Sequence, residues 1–216
     1  IVILLRAMTK VDYYENALNC SGIPCNVVDG KGFYGRQEII DFINLLTVCA
    51  DSRRNLELAG VLRSPYFAVD DETLTALFFE LQDNADKYES LWQVLQSGTY
   101  PEYLAETEKT KLKRCSSILK QIYDASMSLP LTDLFSFIEQ ILNLNAVTAA
   151  QPGGEDKNAN LKKLFALAAE FCLHRQGGLR EYLDNIKRLR APNAREAAAV
   201  AGTAHESVKI MPIPKS

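Results

Sequence analysis

The chain opens with Ile1-Val-Ile-Leu-Leu-Arg6 and, after an interval long enough for one helix, continues with Gly22-Ile-Pro-Cys-Asn-Val-Val28. The first run is continuously apolar and rich in β-branched residues, which is typical of a strand buried on both faces of a parallel sheet. Thr9 is a suitable N-cap for an intervening helix that ends at about Cys20. A strand, a helix and a second strand form a βαβ unit, and such a unit predicts a parallel α/β sheet.

From Arg36 onward, apolar residues recur at helical spacing instead of in continuous runs. This periodicity predicts helices over residues 36–50, 56–62, 70–81, 107–126, 131–144, 160–173 and 179–189, with another around Trp92. Residues 146–158 include Gln151-Pro-Gly-Gly154 and are predicted to form an exposed loop. Residues 207–211 return to a strand pattern.

This order of elements predicts a mixed, mainly α fold in which a helical domain is inserted into part of a parallel α/β sheet domain. The predicted limits are residues 1–50 for the first sheet segment, 51–205 for the helical insert and 206–216 for the returning strand. The runs 1–5 and 208–211 should therefore lie in one sheet. Because both ends of the chain fall at strand-like segments, we expect it to be a piece of a larger protein.

Composition narrows the classes of protein to consider. Of the 216 residues, 47% are hydrophobic and 24% are charged, which is ordinary for a soluble globular protein. The apolar runs are far shorter than the roughly 20 residues that a membrane span needs, so no membrane partner is expected. The five cysteines include no Cys-x-x-Cys pair, which argues against a zinc ribbon and a disulfide framework and favours a reducing, cytoplasmic setting.

The formal net charge of −3 does not indicate a dedicated nucleic-acid module, which usually carries a clear basic excess. Basic residues are nevertheless clustered in two stretches, which either contact phosphates or form solvated helix faces. The first stretch contains Lys109, Lys111, Lys113, Arg114 and Lys120, and the second contains Arg180, Lys187, Arg188, Arg190 and Arg195.

Six short motifs follow one another along the chain: Ile3-Leu-Leu-Arg6, Gly22-Ile-Pro24, Gly30-x-Gly-Phe33-x-x-Arg-Gln-Glu-Ile39-x-Asp41, Leu62-Arg-Ser-Pro65, Asn160-Leu161 and Ala204-His-Glu-Ser-Val-Lys-Ile-Met211. Taken in this order, they resemble the second motor domain of UvrD-like superfamily 1 DNA helicases, in particular the AddA and RecB branch. The last resembles the run that leads into helicase motif V. Each motif is short, and the specificity lies in their order along nearly the whole chain.

The resemblance implies a RecA-like sheet domain and a parent protein that is an ATP-dependent DNA helicase and exonuclease of double-strand break repair and recombination. It implies ATP and Mg²⁺ as cofactors of that parent, and its partners would be single-stranded/duplex DNA junctions and a second helicase–nuclease subunit. The sequence has no GxxxxGK[ST] phosphate loop. We therefore expect this piece to need no cofactor, to be non-catalytic alone, and to orient DNA and partner subunits.

Two departures from the family pattern limit what is carried over. Where the family has Thr-Ile-His, this chain has Pro212-Ile-Pro214, and two prolines remove two backbone donors from what should be a central strand. The duplex-gripping Gly-Ile-Gly turn of several relatives corresponds to Tyr66-Phe-Ala-Val-Asp70, which has no glycine. Neither contact with DNA is assigned to these positions.

The residues predicted to contact DNA fall into two groups. Arg6 follows a buried strand at the sheet edge where α/β proteins place ligands, although a salt bridge at the rim would also explain it. Phe33 could stack on a base and Arg36 could hold a phosphate, or Phe33 could be a hydrophobic staple for the next helix. Lys109 with Lys113, and Lys111 with Arg114, share faces of one helix and could meet phosphates without reading bases.

A second class of function stays open at this point. The near-neutral charge is equally consistent with a helical protein–protein interaction module that has no DNA role of its own. Salt-dependent affinity for DNA would separate the two hypotheses, because phosphate contacts release counterions.

Overall fold

The computed structural model describes residues 1–6, 11–23, 25–27, 33–174, 177–190 and 208–212. The strands are β1 (Val2–Leu5), β2 (Cys25–Val27) and β3 (Val208–Pro212). The helices in these residues are α1 (Val11–Cys20), α2 (Gln37–Ala50), α3 (Asn55–Arg63), α4 (Asp71–Asp83), α5 (Leu91–Ser97), α6 (Glu106–Ser126), α7 (Leu131–Leu142), α8 (Leu144–Ala149), α9 (Gly154–His174) and α10 (Leu179–Leu189). The prediction of a mainly α fold with a small parallel sheet is therefore confirmed.

The strands form a parallel sheet in the order β1-β3-β2. Val2 pairs with Lys209 across β1 and β3, and Cys25 pairs with Val208 across β2 and β3. The prediction that the first and last apolar runs lie in one sheet is confirmed, although about 200 residues separate them along the chain. Strand β3 lies in the centre because it pairs with both of the others.

Among the strands that the structure describes, β1 lies at the edge of the sheet, and the prediction that it would be buried on both faces is wrong. Its side chains alternate between exposed and half-buried, and Val2 and Leu4 are 52% and 54% exposed. Ile3 and Leu5 pack on the other side against a small cluster that includes Val11 of α1 and Ile210 of β3. A continuous apolar run does not distinguish a two-sided from a one-sided strand when every residue is apolar.

Pro212 ends the described part of β3 opposite Leu5 of β1. The pairing of β3 with β2 stops two residues earlier, at Ile210. The missing amide of Pro212 therefore falls beyond the doubly paired part of the strand, which is where a proline is tolerated in a sheet. The Thr9 cap, the motif segment 204–207 and Pro214 lie outside the described residues.

The helices share one large core that runs from Phe33 to Ile186. Helix α2 is its central element, because it packs against α3, α6, α9 and α10. An aromatic group in this core links several helices through ring contacts of 5.0–5.6 Å and consists of Phe42, Phe135, Phe165, Phe171 and Tyr182. Residues 33–50 thus contribute their buried side chains to the helical core rather than to the small cluster of the sheet.

The predicted exposed loop over residues 146–158 is wrong. Helix α8 occupies Leu144–Ala149, and α9 already begins at Gly154. Asn143 and Gly153 have positive φ values of 50° and 67°, so each reverses the chain within a single residue. The Pro-Gly-Gly sequence marks a tight corner between two helices instead of a long loop.

Gly154→Ala is expected to lower the free energy of unfolding by about 1–3 kcal/mol, the range for forcing atoms into a packed site. A Cβ at this position would lie 2.5 Å from the carbonyl oxygen of Thr148 and 2.7 Å from the Cα of Ala149, and backbone atoms cannot move aside cheaply. Gly178→Ala is the matched control, because its Cβ would only reach the Glu181 carboxylate at an ordinary 3.5 Å. Urea unfolding of both variants tests this, and equal stabilities would contradict it.

Candidate nucleic-acid interface

The residues predicted to contact DNA lie in three separate segments of the fold. Arg6 is exposed and directly follows β1, at the carboxyl end of the parallel strands, where α/β proteins place ligands. Arg36 is half-buried and precedes α2, where its carbonyl oxygen accepts the amides of Ile39 and Ile40 at 3.1 and 2.9 Å. The basic residues of α6 lie on a different element.

Phe33 is a core residue, and its geometry disfavours the base-stacking hypothesis. Its side chain is fully buried, and its ring meets that of Tyr34 edge to face at a centroid distance of 4.9 Å. The ammonium group of Lys163 lies 4.9 Å from the ring centroid. No ring face is open to a base, and the alternative of a packing residue ahead of α2 describes the observed arrangement.

On α6, Lys109 and Lys111 are engaged within the protein. The Nζ of Lys109 lies 2.9 Å from Glu106 Oε1, and the Nζ of Lys111 lies 2.8 Å from Glu108 Oε2. The side chains of Lys109 and Lys111 are only 17% and 34% exposed. Both lysines therefore have their charge balanced by a glutamate one turn earlier on the helix.

Lys113 and Arg114 are the two predicted α6 contacts that face solvent. Neither takes part in any of the ion pairs between described residues. On this helix they are the cationic groups best placed to contact an external phosphate. The four predicted contacts on α6 are therefore reduced to these two.

A second group of basic residues was not assigned from the sequence. Arg53 and Arg54, in the turn after α2, line one cleft together with Arg180 and Lys187 of α10. Arg180 and Lys187 belong to the second basic stretch of the sequence. Arg53 and Arg54, which form the other wall, are adjacent arginines directly after a predicted helix, and this pattern could have indicated them.

Three of the motifs that carry the family resemblance, at residues 37–41, 62–65 and 160–161, meet around α2. A cleft of about 370 Å³ brings Gln37, Asp41 and Asn44 of α2 opposite Arg63-Ser-Pro65. On a neighbouring part of α2, the amide of Asn160 donates a 2.6 Å hydrogen bond to Glu38 Oε1, and both side chains are buried. Segments that are 122 residues apart in sequence are therefore joined by a direct side-chain bond.

Burial has the largest effect on the pKa values at this junction, where α2, α9 and the segment after α3 meet. It raises the pKa of Asp41, although a 2.7 Å hydrogen bond from Gln37 acts in the opposite direction. Burial also raises the pKa of Tyr66 to about 12, and the carboxylates of Asp41 and Glu38 add to the rise. The junction thus joins α2, α9 and the segment that follows α3.

The acidic run at residues 70–72 starts a helix, as the sequence indicated. Asp70 caps α4 by accepting the amide of Thr73 at 2.7 Å, and this bond lowers the pKa of Asp70. Asp71 pairs with Arg63 at 3.0 Å. In the part of the chain that the structure describes, no group of three or more metal-ligating side chains occurs.

The family suggested by the ordered motifs can be compared with known protein families. The family described as the UvrD-like helicase C-terminal domain matches residues 1–216. The chain belongs to this family. The resemblance identified from the ordered motifs is thereby confirmed.

Three relatives of this UvrD-like domain share one name, which describes the A subunit of an ATP-dependent helicase/nuclease. The chain is 29% identical over 217 residues to the protein of Anoxybacillus flavithermus, and all of the chain aligns with 18% of that protein. It is 28% identical over 228 residues to the protein of Carboxydothermus hydrogenoformans, again with full coverage of the chain and 18% of the relative. For the protein of Thermoanaerobacter sp. strain X514 the identity is 27% over 218 residues, with coverages of 100% and 17%.

The UvrD-like chain thus spans less than a fifth of the length of these relatives. Within the residues that the structure describes, none of the helices is both long enough and apolar enough to span a membrane.

Proposed function

We propose that this UvrD-like domain serves an ATP-dependent DNA helicase–nuclease and is itself the non-catalytic part that orients DNA and partner subunits. The observation that carries the proposal is the family match over residues 1–216, together with relatives named as the A subunit of an ATP-dependent helicase/nuclease. The helicase–nuclease would use ATP and Mg²⁺, would work with a second subunit of the same kind on single-stranded/duplex DNA junctions, and would act in the cytoplasm in double-strand break repair and recombination. The lack of a phosphate loop in this sequence supports a non-catalytic role.

We further propose that the helical block is an insertion in a RecA-like sheet domain. The pairing of β1 with β3 supports this, because the two strands flank the helices in sequence and are neighbours in space. We propose the predicted limits of the insert, residues 51–205, with an earlier first boundary. Since residues 33–50 are part of the helical core, packing favours a boundary between β2 and Phe33.

Within this domain, we propose that Lys113 and Arg114 of α6 contact the DNA backbone, with Arg6 after β1 and Arg36 before α2 as further candidates. Contacts of this kind carry no sequence information. Because Lys109 and Lys111 are balanced by Glu106 and Glu108, the local positive charge is small. Binding by the isolated chain should therefore be no tighter than about 10⁻⁵ M near physiological salt, which is the range of non-specific binding.

The double variant Lys113→Ala/Arg114→Ala is expected to weaken binding of a single-stranded oligonucleotide at low salt. It should also reduce the slope of log K against log salt by about 1.4, since each phosphate contact on a single strand contributes about 0.7. The control Lys87→Ala/Lys162→Ala removes an equal number of positive charges from exposed positions outside α6 and should change the slope little. Fluorescence anisotropy at two salt concentrations, with single-stranded and duplex DNA, provides the measurement.

Three results would contradict this picture of α6. Nanomolar binding, salt-insensitive binding, or a marked preference for one sequence would each require base contacts or buried polar contacts that the α6 face does not offer. A complete absence of DNA binding with the chain folded would instead favour the second candidate function, a helical protein–protein interaction module. The net charge of −3 and the paired lysines of α6 are the observations on its side.

A further inference from the structure

A cleft of about 300 Å³ lies between the turn that follows α2 and the helix α10. Arg53 and Arg54 form one wall, and Arg180 and Lys187 form the other. Its size is at the small end of the range for ligand sites, so it suits one small group rather than an extended molecule. The packing of α2 against α10 brings the two walls together.

The lining carries an excess of positive charge. Four cationic side chains face two carboxylates, Asp51 and Asp184, in a protein whose overall net charge is −3. Asp51 lies 3.2 Å from Arg53 and 3.5 Å from Arg54, and Asp184 lies 3.0 Å from Lys187. The local excess of two positive charges is therefore a feature of this cleft and not of the molecule as a whole.

The internal ion pairs do not lock these cations away from a ligand. The side chains of Arg53, Arg54 and Lys187 are 75%, 53% and 69% exposed. Ion pairs between exposed groups contribute only about 0–1 kcal/mol, so an incoming anion can replace the carboxylate partners. In this respect the cleft differs from α6, where Lys109 is largely buried beside its glutamate.

Arg180 is held in place across the cleft. One of its terminal nitrogens donates a 3.3 Å hydrogen bond to the carbonyl oxygen of Ala50, at the carboxyl end of α2. A guanidinium has five N–H donors, and this bond uses one of them. The carboxyl end of a helix attracts positive charge, which helps to keep the guanidinium at the mouth of the cleft.

We propose that this cleft binds a phosphate group of the DNA backbone. Arginine forks match the geometry of phosphate oxygens, and three of the four cations here are arginines. The lining contains no aromatic side chain on which a base could stack and only Ala50 and Leu183 as apolar residues, so it selects the charged backbone rather than a base. The inference rests on the proposed function in one respect, namely that the chain meets DNA.

The test uses the 216-residue chain and a fluorescein-labelled oligodeoxythymidylate as the probe. Arg53→Gln/Arg54→Gln is expected to weaken binding about tenfold at low salt and to reduce the salt slope by about 0.7, the value for one phosphate contact on a single strand. The matched control is Arg188→Gln/Arg190→Gln, which removes two exposed arginines from or next to α10 that do not line the cleft. It should weaken binding by no more than about threefold, through general electrostatics alone.

A variant with the opposite sign makes the test sharper. Asp184→Asn removes a carboxylate that competes for Lys187 and repels phosphate, so it should tighten binding about two- to threefold. Asp133→Asn removes an exposed carboxylate from α7 and should leave the affinity unchanged. Thermal unfolding of every variant checks that the compared proteins are equally folded.

Each outcome decides the proposal. Equal losses in the two arginine double variants would overturn the cleft and indicate diffuse attraction. Tighter binding of poly-glutamate than of the oligonucleotide, lost in Arg53→Gln/Arg54→Gln, would overturn it in favour of an acidic protein segment. If only Lys113→Ala/Arg114→Ala weakens DNA binding, the cleft proposal fails while the proposed function stands. If no variant matters because the folded chain does not bind DNA, the proposed function fails as well.

Discussion

Phe135→Ala is expected to lower the free energy of unfolding by about 3–5 kcal/mol, the range for truncating a buried phenylalanine. Phe135 lies at the centre of the aromatic group, with ring centroids 5.0 Å from Phe42, 5.1 Å from Phe165 and 5.6 Å from Tyr182. The contacts with these three rings are edge to face. Truncation would leave a cavity where α2, α7, α9 and α10 meet.

The measurement is urea unfolding followed by circular dichroism. Phe79→Ala is the control, because Phe79 lies on α4 and is 55% exposed. Its loss should change the stability by less than about 1 kcal/mol, as is usual for surface substitutions. A comparable loss in the two variants would show that the aromatic group does not organise the helical core.

Asn160→Leu is expected to lower the free energy of unfolding by about 2–3 kcal/mol, because it removes a hydrogen bond to a buried carboxylate. Asn160 and Glu38 are 3% and 8% exposed, and their bond is 2.6 Å long. Leucine has the same branched shape but no donor, so the Glu38 oxygen would lose this partner away from water. Asn158→Leu, two residues earlier on α9, is the matched control, because Asn158 is half-buried and its amide donates to the Asn145 carbonyl through a solvent-exposed hydrogen bond.

A double-mutant cycle identifies the source of this loss. If the unpaired carboxylate is responsible, Glu38→Leu/Asn160→Leu should lose less stability than the sum of the two single variants, because two apolar partners leave no buried charge. Strict additivity of the single losses would contradict the pairing. Asn158→Leu is expected to lose less than about 1 kcal/mol in the same urea titration.

Local patterns in the sequence predicted most of the helices. The predicted helix over residues 179–189 coincides with α10, and that over 107–126 with α6 to within one residue. These assignments succeed because helical periodicity and end signals act over three or four residues, within the reach of a local pattern. The corner at Gly154 was missed because the short helix α8 meets the long helix α9 there in a close approach that only glycine permits.

The residue types of the candidate DNA contacts were predictable from the sequence. Whether each side chain is free to contact a ligand was only partly predictable. The pairing of Lys109 with Glu106, and of Lys111 with Glu108, is an i, i+3 pattern that spacing alone could have shown. The burial of Phe33 could not be seen in the same way, because it depends on helices that are remote in sequence. A glycine-flanked aromatic residue has the same local pattern whether it faces solvent or the core.

By itself, the sequence determined the family, the class of fold and the sharing of one sheet by its first and last strands. Motif order and the run of helices between two apolar segments are properties of the chain as written. The tertiary structure alone decided that Asn160 bonds to Glu38 and that Arg180 faces the turn carrying Arg53 and Arg54. These residues are more than 120 positions apart, and their contacts depend on the directions in which helices pack. Interactions along one helix are encoded locally, whereas contacts between helices arise only when the whole core is assembled.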